Sequence, residues 1–128
     1  MKAFSPTAIR RPTVAGTWYP GTKKGLARAV DDYLGKADRP LVAGELLGLI
    51  SPHAGYSYSG QTAAYAYHQL QGRQIDTVVL VGPSHRDWVG DYAASTEDAY
   101  ETPLGLVPLD RAFIDDLAGR VVLGRIQG

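Results

Sequence analysis

Two histidines stand where a sheet-based fold could do chemistry. His53 follows the apolar run ELLGLIS, residues 45–51, and His85 follows TVVLVGPS, with a helix-like segment between the two runs. If the runs are parallel neighbours joined by a right-handed crossover, both imidazoles emerge at the carboxyl edge of one sheet, where open α/β folds bind ligands. Neighbouring strands lie about 4.8 Å apart, so the two side chains could converge on one metal ion. Imidazole suits iron, copper, zinc and nickel, and two histidines with one carboxylate form the facial triad of non-haem Fe(II) oxygenases. Asp87, Asp91, Glu97 and Asp98 follow His85 and are the carboxylates from which a third ligand could come, or else they are solvated loop charges. The alternative for both histidines is a hydrogen-bonded structural role.

Other chemistries fit less well. His68 falls inside the helical segment on the face of Ala64, away from both loops, and is left out of the site. GYSYSG places Ser57 and Ser59 one residue out of register for a nucleophile elbow, and Ser84 beside His85 has no orienting acid. There is no phosphate-binding loop and no dinucleotide fingerprint. The chain has no cysteine, which excludes disulfides, zinc–thiolate clusters and a cysteine nucleophile within it. Lys plus Arg and Asp plus Glu both total 13, so its overall field gives no reason to expect nucleic acid or an anionic membrane as partner. No window approaches the ~18 apolar residues of a membrane span, and the first residues have no apolar core of signal-peptide length. The expectation is a soluble, cytoplasmic protein.

The elements that must position the histidines follow from periodicity. TVAGTWYPG reads as an irregular or edge-strand entry, with Trp18 and Tyr19 covering core. Residues 22–34 carry apolar side chains at helical spacing and end at Gly35. Residues 45–51 read as the first central strand, PHAGYSYSG as a loop, and 61–70 as a helix capped by Ser59 or Gly60. The nearly unbroken β-branched run 75–81 reads as a parallel strand buried on both faces. Beyond His85, a short strand within 88–95, a turn at ETPLG, a helix over 110–117 capped by Asp110, and an apolar run from Val121 complete the reading. The fold class is α/β, a mostly parallel sheet with βαβ units.

The segments RRPTVAGTWYPG, SPHAGYSYSGQTAAYAY, VLVGPSHR and TPLG, in that order over residues 10 to 110, resemble the N-terminal part of the Memo family, whose bacterial members are called AmmeMemoRadiSam system protein B. The resemblance implies a fold related to class III extradiol dioxygenases, with His53 and His85 as residues of a metal site for iron or copper and redox chemistry of unsettled substrate. It also implies a small-molecule or peptide ligand and a pathway shared with AMMECR-type and radical SAM proteins. On that reading Tyr56 and Ser84 line the mouth of the site as hydrogen-bonding groups. The alternative is a peptide- or protein-binding module that uses the same pocket without turnover. The family's domain is roughly twice as long, and its remaining half brings further pocket residues, so the 128 residues are expected to form the N-terminal portion of one Memo-like domain, an incomplete sheet from a truncated chain.

Overall fold

The computed structural model describes residues 5–85, 88, 90–121 and 124–126. They form two compact units, Thr13–Gln74 on one hand and Met1–Pro12 with Ile75–Gly128 on the other.

The Thr13–Gln74 unit is a turn followed by two packed helices. Gly16 takes φ +84°, a conformation that costs glycine little, and its amide donates to the Tyr19 carbonyl at 2.8 Å while the Trp18 amide closes on the Val14 carbonyl at 2.9 Å. Helix α1, Lys23–Gly35, starts one residue inside the predicted span because Thr22 caps it, accepting from the Gly25 amide at 3.2 Å. Helix α2, Tyr56–His68, begins five residues earlier than the sequence spacing predicts. Its cap is Gly55, which offers no side chain, and the first turn is instead stabilised by tertiary contact. The Tyr56 amide, an orphan at any helix start, donates to the Trp18 carbonyl at 2.8 Å. Gly60 lets the helices approach, since a Cβ there would lie 2.9 Å from the ring of Tyr33. Leu26 and Ala64 are buried in this unit. Beyond α2, buried Gln69 accepts from the Val42 amide at 2.8 Å, and Arg73 donates to the carbonyls of Gln69, Val42 and Gly44. These bonds hold residues 42–44 against the end of α2.

The other unit carries the sheets. Strand β1, Ile9–Arg10, runs parallel to β3, Ala99–Thr102, and β3 pairs antiparallel with β4, Gly105–Pro108. The predicted turn at ETPLG is the tip of this hairpin, where Gly105 takes φ +139° and the Thr102 hydroxyl donates to the Gly105 carbonyl at 2.9 Å. Ala99 is fully buried, and the Arg10 guanidinium stands 5.5 Å from the centroid of the Tyr100 ring across the strand pair. Strand β2, Ala93–Ser95, pairs parallel with β5, Gly124–Ile126. Helix α3, Arg111–Ala118, has Asp110 as its N-cap, accepting from the Phe113 amide at 3.0 Å, as its sequence predicts. Arg111 reaches from α3 to the Ser95 carbonyl at 2.8 Å and so ties the helix to the end of β2.

The architecture is therefore α/β, with one small mixed sheet and one parallel pair. The two expected central strands are a correction. Residues 45–51 and 75–81 belong to no ladder among the described residues, so the βαβ unit is represented only by its helix. A β-branched run becomes a strand only when another segment supplies backbone partners, and no described segment does so here. Ile50 in the first of these runs is 100% exposed, and Val81, in the run whose sequence reads as buried on both faces, is 91% exposed.

Candidate functional site

The Thr13–Gln74 unit carries a cleft, open to solvent, of about 510 Å³, a size that suits small-molecule ligands. The turn supplies Trp18 and Tyr19, α1 supplies Val30 and Tyr33, the loop before α2 supplies Pro52 and His53, and α2 supplies Tyr56, Ser59, Gly60, Ala63 and Tyr67. The α2 residues at 56, 60, 63 and 67 recur at helical spacing and put one stripe along the wall. The local sequence explains the arrangement: glycine and alanine in the stripe leave room that tyrosines at either end enclose.

The aromatic rings are mutually ordered. Tyr56 meets Tyr33 edge to face with centroids 5.9 Å apart, and Tyr19 at 5.8 Å in a tilted pair. The Tyr33 hydroxyl donates to the Tyr56 carbonyl at 3.0 Å, and the Ser59 hydroxyl donates to the Ala54 carbonyl at 3.2 Å, which ties the loop bearing His53 to the helix. Burial is the main cause that raises the Tyr56 phenol above its ordinary pKa, with Tyr19, Tyr67 and Tyr33 adding to it. Tyr56 therefore stays a neutral phenol, donor and acceptor both, throughout the physiological range.

His53 and Tyr56 thus share one cavity wall. Ser84 and His85 are exposed residues of the other unit. Of the carboxylates considered as a third ligand, Asp87 lies outside the described residues and Asp91 is exposed. Glu97 is buried and accepts a hydrogen bond from the Ser95 hydroxyl. The Asp98 carboxylate accepts from the Thr7 amide at 2.8 Å, the Thr7 hydroxyl at 2.9 Å and the Ala8 amide at 3.0 Å. Those bonds, the Ala8 amide foremost and Arg111 nearby, hold Asp98 below its ordinary carboxylate pKa against a smaller opposing effect of desolvation. Among the described residues no three histidine, cysteine, aspartate or glutamate side chains gather as a metal cage. The cavity wall offers one imidazole and no carboxylate, so these residues do not by themselves fit a complete metal shell.

His68 closes α2 and is not among the cavity-lining residues, although Ala64, with which its spacing groups it, is. Its Nδ1 is buried with no hydrogen-bond partner among the described residues. Trp18 does not cover core but stands 51% exposed on the cavity wall. The parts played by Tyr33 and Tyr67 were not visible from the two-histidine pattern. Extending the helix back to Tyr56 would have revealed the stripe.

Comparison with known proteins adds an independent observation. Residues 10–122 match the family described as Memo-like protein. A MEMO1 family protein of Nitrosopumilus maritimus is 38% identical over 114 residues, covering 86% of this chain and 42% of the relative. A MEMO1 family protein of Pyrobaculum aerophilum is 43% identical over 114 residues, covering 84% and 41% respectively. The protein memo-1 homolog of Caenorhabditis elegans is 38% identical over 108 residues, covering 84% of this chain and 30% of its own. The chain thus spans less than half the length of these relatives. Among the described residues no helix is long and apolar enough to cross a membrane.

Proposed function

We propose, from the premise that this chain belongs to the Memo-like protein family, that it supplies His53, His85 and an aromatic ligand wall to a metal-binding oxidoreductase related to class III extradiol dioxygenases. The observation that carries this reading is His53 at the wall of a tyrosine-lined cavity of about 510 Å³. In it His53 and His85 are donors to one iron or copper ion, which provides the redox chemistry when bound. The remaining donors come from outside the described residues. Tyr56 presents a neutral hydroxyl to the ligand, Ser84 presents a second, and the rings of Trp18 and Tyr19 exclude water from the ligand's apolar surface.

A second reading has its own support. The same wall is mostly aromatic and aliphatic with a single imidazole, a composition that also suits capture of a small molecule or peptide without turnover. Elemental analysis after equilibration with Fe(II) or Cu(II), on the chain extended by the polypeptide its relatives carry beyond the matched stretch and on the His53→Ala and His85→Ala variants of that longer protein, separates the two. The enzyme reading expects each variant to lose at least tenfold in bound metal, with oxygen consumed in the presence of a catechol-like substrate. Metal content unchanged in both variants overturns it, and saturable ligand binding without product then favours the module.

A further inference from the structure

Five aromatic rings, those of Trp18, Tyr19, Tyr33, Tyr56 and Tyr67, wall the cleft of the Thr13–Gln74 unit. Among the described residues no lysine, arginine, aspartate or glutamate lines it. The wall thus offers π faces, negative by their quadrupole, in place of charged groups. Cation–π attraction acts within about 6 Å of a ring centroid. The Tyr19 and Tyr33 rings stand 5.8 and 5.9 Å from that of Tyr56, so rings are clustered at the separation on which such an attraction works. They are also held in place. The Tyr33 hydroxyl donates to the Tyr56 carbonyl at 3.0 Å, and the Tyr56 amide donates to the Trp18 carbonyl at 2.8 Å. A wall fixed before its ligand arrives loses little freedom on binding.

The lining also sorts one charge from another. An anion meets no basic side chain there, and a primary ammonium would give up the water on its N–H groups with no carboxylate in return. A quaternary ammonium has no N–H to satisfy, and its charge is spread over methyl groups that pack against rings. We propose that this cleft binds a quaternary ammonium head group, caged by the rings of Trp18, Tyr19, Tyr33, Tyr56 and Tyr67. The inference rests on the ligand-wall role that both readings above give the cleft, and the metal does not enter it.

The test uses the chain extended by the polypeptide its relatives carry beyond the matched stretch, freed of metal with a chelator. Calorimetric titration compares choline with dimethylbutanol, its neutral carbon isostere, and choline is expected to bind about tenfold more tightly. Trp18 and Tyr67, each about half exposed, are replaced singly by leucine, which keeps an apolar contact and removes the ring. Each variant should weaken choline binding about threefold while leaving the neutral isostere unaffected, and Trp18→Phe should keep most of the parent's affinity. A peptide bearing trimethyl-lysine carries the same head group, and its affinity beside that of choline distinguishes a peptide source from a free small molecule. Equal affinity for choline and dimethylbutanol overturns the proposal and leaves the cleft an apolar ligand site. Binding of neither overturns it together with the ligand-wall role. Choline affinity unchanged in both leucine variants, at the parent's melting temperature, overturns it as well.

Discussion

Tyr33 of α1 donates its hydroxyl to the main-chain carbonyl of Tyr56, the first residue of α2, at 3.0 Å, and the two rings meet edge to face. One side chain thereby ties α1 to the first turn of α2, where the Trp18 carbonyl accepts from the Tyr56 amide. The same ring sits where a Cβ on Gly60 would intrude at 2.9 Å.

Gly60→Ala should therefore destabilise the Thr13–Gln74 unit by roughly 1–3 kcal/mol of overpacking, partly offset by about 1 kcal/mol of helix propensity. Tyr33→Phe should cost about 1 kcal/mol for the lost hydrogen bond. Combining Gly60→Ala with Tyr33→Leu should recover part of the alanine penalty. Urea unfolding of the parent chain, Gly60→Ala, Tyr33→Leu and their combination measures the coupling, and strict additivity would contradict the contact.

Asp98 makes the junction between the N-terminal segment and β3 acid-sensitive. Its folded pKa lies below the ordinary carboxylate value, so its contribution is fully present above that value and is lost as pH falls through the lower, folded one. Acid should release Thr7 and Ala8 from the sheet edge before α3 unfolds, read as amide exchange at those residues. Asp98→Asn should lose that pH dependence while keeping a weakened junction at neutral pH.

Asp110 has two carboxylate oxygens in use, one accepting from the Phe113 amide and the other from Thr77. Asp110→Ala should cost about 1 kcal/mol through the lost cap and should loosen the start of the 75–81 run. Asp110→Ser should restore the cap without restoring the Thr77 bond. Amide exchange at α3 and at residues 77–79 distinguishes the two effects.

The three histidines should behave differently. His53→Ala and His85→Ala should each lower bound iron or copper at least tenfold, whereas His68→Gln should leave it unchanged, because His68 is absent from the cavity lining. Metal loss at His68 as large as at His53 would mean that the end of α2 reaches the site.

Local sequence determined much of this protein. Thr22 and Asp110 start their helices because a side-chain oxygen meets an amide three residues on, which only neighbouring residues decide. The hairpin at Thr102 and Gly105 is local for the same reason, and PHAGY with GPSH is a pattern specific enough to point to the family before any coordinates. Tertiary structure decided the rest. Helix α2 starts at Tyr56 because the Trp18 carbonyl and the Tyr33 hydroxyl, 38 and 23 residues away in sequence, complete its first turn. The apolar run at 45–51 and the β-branched run at 75–81 read as strands but have no ladder among the described residues, since a strand's hydrogen bonds belong to the pair and composition describes only one member of it.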